Sequence, residues 1–301
     1  MRKNKNLKKE IFRVIIYYLF LQVYYLSKFL PSIYYKYISI LWGNFAFFVM
    51  RKSRKRIIKN LNIAFKDELT KEEKEKIARH FFSQIVLNFL ELIKITKIPF
   101  SEYQKMLIVE GEENLKKALS EKKGVVGVCC HLGNFPIMQT FLAKKGYPIS
   151  MIVRHSNNIY LSRFNNRLLK QLKVPFVTKW NLKEAIDYSK KWIRKGGIVC
   201  FYLDQHAGNG VEVDFFGEKV FTPVGAGVFA RKYKCPVVGI FTYRIKNGKH
   251  KVVIEGPYKF NFTSDTRKDI ENMSAFFMKR VEHYIRKNPD QWFTWLHRRF
   301  R

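Results

Sequence analysis

The chain has 301 residues, with 57 Lys and Arg against 24 Asp and Glu, which gives a formal net charge of +33. Its 27 Phe, 16 Tyr and 5 Trp exclude an intrinsically disordered chain, because so much apolar surface does not stay in water. The excess of positive charge requires an anionic partner, and nucleic acid, a phospholipid surface or an acidic protein would each satisfy it.

Residues 1–56 are predicted to form a helical segment that anchors the chain to a membrane. Two charge-free windows of 14 residues each, 14–27 and 37–50, lie between basic clusters and are rich in tyrosine, which favours the headgroup boundary. Because a spanning helix needs about 20 residues, a helix lying in the interface is favoured. A single spanning helix in which Lys28 reaches the interface, and a helix pair buried in the core, are the alternatives.

Residues 57–301 are predicted to form one α/β domain. Thr70 and Glu73 form a capping-box pattern that begins a long helix. Thr222 and Pro223 mark the start of a later helix, as N-cap residue and first helical residue. Strands that are apolar throughout indicate a mixed, mostly parallel sheet with helices on both faces. We predict strands at 124–130, 148–154, 174–178, 197–203, 236–242 and 250–255, and helices at 113–121, 134–144, 182–195, 223–234 and 267–287.

The four cysteines are predicted to be packing residues in a reducing compartment. Cys129 and Cys130 are adjacent, while Cys200 and Cys235 stand alone, so the C-x-x-C spacing of zinc and redox sites is absent. The sequence therefore predicts neither a metal site nor a redox cofactor.

Polar residues follow the predicted strands at their carboxyl ends, where open α/β sheets bind ligands. His131 follows the first of these strands and begins a helix, which places it well as a general base. We expect it to take a proton from a hydroxyl that attacks a thioester. Gly133 would let the backbone approach the reacting centre, and amides at the helix start would stabilise an oxyanion.

Six segments, spread over nearly the whole chain, carry a family resemblance: RKSRKRIIKNLNIAF, EGEENLKKAL, GVVGVCCHLGNF, GGIVCFYLDQ, VDFFGEKVFTPVGAGVFARKY and NPDQWFTWLHRRF. In this order and spacing they resemble the lipid A biosynthesis acyltransferases, the lauroyl and myristoyl transferases of the lysophospholipid acyltransferase superfamily. The resemblance implies a glycerol-3-phosphate acyltransferase-like fold. It also implies an enzyme at the cytoplasmic face of a bacterial inner membrane, which moves an acyl chain from acyl carrier protein or coenzyme A to a glycolipid hydroxyl.

The resemblance also implies a set of site residues. His131 matches the catalytic base of the family's H-x4-D/E motif, and Asp204 belongs to its DQ pair. Arg154 matches an arginine that is a candidate for holding an acceptor phosphate. The residues expected to bind substrate are Gly133, Asn134, Pro136, Arg154 and Gln205.

One position departs from the motif, because Pro136 stands where the family has an acid that orients the histidine. Three interpretations are open. Asp204 replaces the missing acid, or His131 works without a carboxylate, or the protein is a non-catalytic lipid-binding relative. We favour retained activity, since the other family segments are intact.

Other motifs carry less weight. Gly225, Gly227 and Ala230 match G-x-G-x-x-A, but a dinucleotide site needs a strand immediately before it, where we predict a helix start. Zinc-finger, RNP and basic-zipper patterns are absent, so nucleic acid is not the expected partner. The charge is instead expected to meet an anionic membrane and an acidic acyl carrier protein. The terminal WLHRR could face headgroup phosphates or close the carboxyl terminus, and His80, His250 and His283 are expected to be structural or solvated.

Overall fold

The computed structural model describes residues 10–300 except 12, 15, 16, 19, 20, 23, 26, 28, 155–157, 173, 180 and 181. Most of the predicted apolar window 14–27 is described, whereas the basic residues before position 10 lie outside the described residues. The described part of the chain forms a mixed sheet flanked by helices, which confirms the predicted α/β class.

Ten α-helices and nine strands are assigned to the described residues from 32 onwards. The helices are α1 (Tyr35–Val49), α2 (Arg51–Phe65), α3 (Lys71–Lys94), α4 (Phe100–Gln104), α5 (Glu112–Ser120), α6 (Phe135–Lys144), α7 (Ile159–Leu172), α8 (Leu182–Arg194), α9 (Gly225–Tyr233) and α10 (Thr266–Lys287). The strands are β1 (Leu107–Glu110), β2 (Val125–Cys129), β3 (Ile149–Arg154), β4 (Phe176–Lys179), β5 (Ile198–Tyr202), β6 (Val211–Phe215), β7 (Glu218–Thr222), β8 (Val237–Arg244) and β9 (His250–Tyr258). Short 3-10 helices cover Ser32–Tyr34, Lys66–Glu68, Pro289–Gln291 and Phe293–Leu296.

Seven strands form one sheet in the order β1-β9-β8-β2-β5-β3-β4, while β6 and β7 form a separate antiparallel hairpin. Neighbouring strands of the large sheet are parallel, except that β8 and β9 are antiparallel. The mixed, mostly parallel sheet was therefore predicted correctly. All six predicted strands are present, but β1, β6, β7 and the helices α4 and α7 were not predicted.

The carboxyl ends of β2, β5 and β8 lie at the same edge of the sheet because these strands are parallel. Both faces of the sheet are covered: Val126 and Val128 of β2 belong to one hydrophobic cluster, and Val125 and Cys129 belong to the other. Full burial of a valine side chain contributes roughly 1.5–3 kcal/mol, so this central strand is strongly held between the two clusters. All four cysteines are buried and free, which confirms them as packing residues.

The two predicted helix starts have different outcomes. The capping box is confirmed, because the Thr70 hydroxyl accepts from the Glu73 N–H at 3.2 Å and the Glu73 carboxylate accepts from the Thr70 N–H at 2.8 Å. The start at Thr222 is wrong. β7 continues to Thr222, and α9 begins only at Gly225 without a side-chain cap. A strand does precede Gly225, but it belongs to the antiparallel hairpin and not to a parallel βαβ unit.

Helix α1 packs one face on α3 and leaves the other exposed. Gly43 makes this approach possible, because a Cβ there would lie 2.3 Å from the Ser83 hydroxyl. The buried side of α1 includes Tyr35, Ser39 and Phe47. Among the described residues, helices with the length and apolar character needed to span a bilayer are absent.

Candidate active site

The loop that follows β2 carries His131 and is held by the carboxyl-terminal segment of the chain. The His131 carbonyl accepts a hydrogen bond from the Phe293 N–H at 2.8 Å, and the Gly133 N–H donates to the Gln291 carbonyl at 3.1 Å. Between them, Leu132 and Trp292 form an isolated antiparallel bridge. The backbone around His131 is therefore fixed by residues about 160 positions later in the chain.

Asp204 lies directly behind His131. Cys129 and Tyr202 are aligned in the parallel β2–β5 pair, so the residues that follow these strands emerge side by side. The His131 Nδ1 atom lies 2.8 Å from Asp204 Oδ1, and the His131 backbone N–H donates to Asp204 Oδ2 at 2.9 Å. One carboxylate thus binds both the ring and the backbone of the same histidine.

Asp204 is fully buried, yet its carboxylate is ionised. Two further donors reach Oδ2, the Trp292 indole N–H at 2.8 Å and the Thr294 hydroxyl at 3.0 Å. Burial raises the pKa of Asp204, but the His131 ring, the His131 N–H and the Trp292 indole together outweigh burial and hold that pKa at about 2. An ionised carboxylate only accepts hydrogen bonds, so Nδ1 of His131 carries the proton and Nε2 is the basic nitrogen.

The His131 ring is enclosed by aromatic side chains without being sealed from solvent. Its centroid lies 4.4 Å from that of Tyr202 and 5.0 Å from that of Phe135. The His131 side chain is 17% exposed, whereas Asp204 is 0% exposed. A partly exposed imidazole with a buried acid behind it can take a proton from a molecule that arrives from outside.

Gly133 adopts a positive φ of +58°, and a Cβ there would lie 2.8 Å from the Thr242 carbonyl oxygen of β8. The close approach that was expected at this glycine is therefore made to β8. Pro136 is the second residue of α6, and its carbonyl accepts from the Thr140 hydroxyl at 2.8 Å.

The Asn134 side chain points into the protein interior and is 1% exposed. Its amide donates to the Asn88 carbonyl at 3.0 Å and to the Glu91 carboxylate at 3.1 Å, both on α3. Asn134 therefore ties the His131 loop to α3, and the predicted contact of this side chain with substrate stays a prediction.

A second buried carboxylate, Glu91, accepts the latter bond on the opposite side of the loop from Asp204. Its other partners are Arg244, which donates from both terminal nitrogens, and the His250 ring at 2.9 Å. Burial raises the pKa of Glu91, but His250 and Arg244 together lower it to about 2. His250 is 0% exposed, so the expectation that it is structural agrees with its position. His80 and His283 are exposed.

The structure shows less about the two remaining predicted site residues, Arg154 and Gln205. Arg154 ends β3 opposite Lys179 of β4, and its side chain lies outside the described part. Gln205 follows Asp204 and is partly buried. Both therefore belong to the carboxyl-end edge of the sheet, and their roles stay predictions. Within the described ranges, a cluster of three or more His, Cys, Asp or Glu side chains suited to a metal ion is absent.

Three side chains that contact His131 or Asp204 were not predicted: Tyr202 beside the His131 ring, and Trp292 and Thr294 on the Asp204 carboxylate. Tyr202 could have been found, because it ends the strand that leads to Asp204. Trp292 and Thr294 lie in a segment that was noted for its resemblance, but a role was considered only for the WLHRR that ends it, as a contact with headgroup phosphates or as closure of the carboxyl terminus. Arg299 in the same region is 1% exposed and binds the Phe221 carbonyl and the Thr222 hydroxyl, so this part of the carboxyl terminus closes the core.

A mixed α/β sheet with a histidine–aspartate pair at the carboxyl ends of its strands agrees with the acyltransferase class that the resemblance implies. The chain matches the sequence profile of the bacterial lipid A biosynthesis acyltransferases over residues 2–301. It belongs to this family, and the resemblance of its six segments is confirmed.

Individual relatives of the chain are also named as lipid A acyltransferases. The lipid A biosynthesis palmitoleoyltransferase of Escherichia coli (strain K12) is 25% identical over 247 residues, which cover 81% of this chain and 77% of the relative. A lipid A biosynthesis acyltransferase of Shigella flexneri has the same identity and coverage. The lipid A biosynthesis lauroyltransferase of Escherichia coli (strain K12) is 24% identical over 262 residues, which cover 86% and 82%. The predicted enzyme class, an acyltransferase, is confirmed.

Proposed function

We propose that this protein is an O-acyltransferase that moves a fatty acyl chain from an acyl thioester to a hydroxyl of a lipid A precursor. The donor is acyl carrier protein or coenzyme A, and His131 is the general base. The observation that carries this proposal is the 2.8 Å contact between His131 Nδ1 and the ionised, buried carboxylate of Asp204. The names of the relatives support the acyl group and the acceptor.

The reaction proceeds without a covalent enzyme intermediate. The acceptor hydroxyl gives its proton to His131 Nε2 while its oxygen attacks the thioester carbonyl carbon. The carbon–sulfur bond then breaks, and the imidazolium returns the proton to the departing thiolate. Asp204 fixes the ring orientation and stabilises the positive charge that the ring acquires, which is the part that the acid plays in a Ser-His-Asp triad.

The contact between His131 and Asp204 helps to interpret the departure from the family motif at Pro136. Of the three interpretations, the geometry supports the first, in which Asp204 takes the part of the missing motif acid. The carboxylate approaches from the end of β5, a strand adjacent to β2, and not from the start of α6. A proline at position 136 therefore does not leave His131 without an orienting acid.

The exposed face of α1 supports a position at the surface of a membrane, with the site at the cytoplasmic face of the inner membrane. Tyr37 and Leu41 are each 68% exposed, and Phe45 and Phe48 follow on the same side of the helix. Such an unbroken apolar stripe beside the five basic residues of segment 51–56 suits an interfacial helix. Association with membranes that survives nuclease treatment would favour a lipid surface over nucleic acid.

The test is acyl transfer by the purified full-length chain in detergent, with an acyl carrier protein thioester or acyl-coenzyme A and a lipid A precursor. His131→Ala is expected to lower kcat by about 10²–10⁴-fold, the contribution typical of a general base. His283→Ala, which removes an exposed histidine from α10, is the matched control and should retain activity.

Two outcomes would count against the proposal. Full activity of His131→Ala would show that this imidazole is not the base. Lipid binding by the wild-type chain without consumption of either thioester would instead favour the non-catalytic relative.

A further inference from the structure

A large cavity lies on the far side of the His131 loop from Asp204. It has a volume of about 1060 Å³ and is bounded by α1, α3 and the turn 245–249 between β8 and β9. We call it the basic cavity, because seven Lys and Arg residues line it against two Glu, a net charge of +5. A concave surface lined by one sign of charge concentrates ions of the opposite sign. The ligand that fits this cavity is therefore an anion.

The positive charge of the basic cavity is largely uncompensated. Its two glutamates already have partners, since Glu91 pairs with Arg244 and Glu102 pairs with Lys105 at 2.8 Å. These two ion pairs account for two of the seven cations. The other five form no ion pair with any described residue: Lys36, Arg79, Lys94, Lys246 and Lys249.

The basic cavity adjoins the apolar face of α1. Lys36, Ser39 and Asn44 line the cavity, while Leu41 and Phe45 of the same helix are exposed on the side that we place in the membrane. One helix therefore separates an acyl-chain environment from a cluster of cations that have no ion-pair partner among the described residues. That juxtaposition matches an anionic lipid, whose acyl chains lie in the leaflet and whose headgroup lies at its surface.

A buried hydrogen-bond acceptor in the cavity wall also supports a lipid headgroup as the ligand. The Asn44 side-chain oxygen is buried and accepts no hydrogen bond within the described part of the chain. A buried acceptor without a donor is costly, and a ligand hydroxyl would satisfy it. A headgroup that carries both a phosphate and hydroxyls, such as that of phosphatidylglycerol, supplies both kinds of group.

We propose that the basic cavity binds the phosphate of an anionic lipid headgroup, at a site separate from His131. The inference rests on the proposed position of α1 at the membrane. Arg244, at the carboxyl end of β8, lines the cavity, and this is the same edge of the sheet that carries His131. A headgroup bound there would hold that edge of the sheet against the leaflet in which the acceptor lies.

The test is a binding titration of the full-length chain in a non-ionic detergent. The probe is dihexanoylphosphatidylglycerol below its critical micelle concentration, followed by calorimetry, with dihexanoylphosphatidylcholine as the lipid without net charge. Lys246→Glu/Lys249→Glu reverses two exposed cations of the cavity. Lys191→Glu/Lys195→Glu makes the same change in total charge at the carboxyl end of α8, which leads to the amino end of β5.

Saturable binding of one phosphatidylglycerol per chain is expected, with weaker binding of phosphatidylcholine. Each lysine near an anionic headgroup contributes roughly a factor of five, so Lys246→Glu/Lys249→Glu should weaken binding by about 25-fold or more. The control pair should change it by less than about twofold, because it lies beyond the screening length. His131→Ala should bind as the wild type does, which separates failure of this site from failure of the proposed catalysis.

Three results would overturn the proposal. Binding without saturation, or equal losses in the two double variants, would indicate diffuse attraction to a basic protein. Inorganic phosphate that binds as tightly as the lipid would assign the cavity to free phosphate.

Discussion

Two buried carboxylates, Asp204 and Glu91, lie on opposite sides of the His131 loop, and both have a pKa of about 2. Asp204 pairs with a histidine that is 17% exposed, whereas Glu91 pairs with His250, which is fully buried. Glu91 also binds Arg244, so its charge is balanced within the protein. The comparison shows that a low pKa and a histidine partner do not by themselves mark a catalytic pair, because access to the imidazole differs.

The His131–Asp204 pair and the cluster of Glu91, Arg244 and His250 are expected to respond differently to the loss of their carboxylates. Loss of Asp204 removes the acid that orients His131, so it should act on turnover first. Loss of Glu91 leaves Arg244 as an uncompensated buried charge, so it should act on stability first. Substitutions that remove one charge at a time separate the two roles.

Asp204→Asn is expected to give the largest effect, a fall in kcat of about 10³–10⁴-fold. The amide does not enforce the Nδ1–H tautomer of His131, and the corresponding change in a Ser-His-Asp triad costs about 10⁴-fold. The measurement is acyl transfer together with thermal unfolding of the same preparation. Asp214→Asn, at an exposed position of the β6–β7 hairpin, is the matched control. Retention of activity by Asp204→Asn, to within about threefold, would remove Asp204 from the mechanism.

Glu91→Gln is expected to destabilise the protein by about 3–5 kcal/mol, since it leaves Arg244 buried without a counter-charge. The measurement is the midpoint of urea unfolding in detergent. Glu113→Gln makes the same chemical change at an exposed position in the first turn of α5, and it should stay within about 0.5 kcal/mol of the wild type. Equal midpoints for the two variants would mean that Glu91 contributes no more than a surface carboxylate.

A fall in pH is expected to weaken the interactions of both carboxylates, Asp204 and Glu91. The pKa of each carboxyl is about 2 when folded, against ordinary values of 3.8 for Asp204 and 4.5 for Glu91. Because the folded pKa is the lower one, the stabilisation is fully present above about pH 5 and is lost as the pH falls towards 2. Asp204 contributes about 2 kcal/mol and Glu91 about 3 kcal/mol, since one pKa unit corresponds to roughly 1.4 kcal/mol.

The check on this expectation is the free energy of unfolding measured between pH 7 and pH 2 for wild type and variants. Glu91→Gln lacks its share of the titration, so its curve should be shallower below pH 5. Glu113→Gln should follow the wild-type slope. Parallel curves for all three proteins would contradict the assignment of the low pKa to Glu91.

The comparison of the two carboxylates also shows how much of the fold and of the site could be predicted from the sequence. The sheet was predictable because its central strands are apolar throughout, and His131 and Asp204 were predictable because both follow such strands. β1 has only four residues, whereas α7 was missed although its buried Phe164, Leu168 and Leu172 recur at helical spacing.

The contacts that hold the site were not predictable from local pattern. Asp204 binds Trp292 and Thr294 across about 90 residues of sequence. Glu91 and His250 meet across 159 residues. Hydrogen bonds of this kind depend on the tertiary fold, and neither periodicity nor spacing encodes them.

The smallest expected effect is also the sharpest test of the Asp204 pair. Pro136→Glu restores the acid of the family motif, yet we expect kcat to stay within about threefold of the wild type, because Nδ1 already binds Asp204 Oδ1. A glutamate in the first turn of α6 adds only the roughly 0.3–1 kcal/mol typical of an acid at a helix start. Pro136→Ala separates the loss of the proline from the gain of the carboxylate. A tenfold rise in Pro136→Glu, absent from Pro136→Ala, would mean that Asp204 leaves His131 incompletely activated and that its contact is structural.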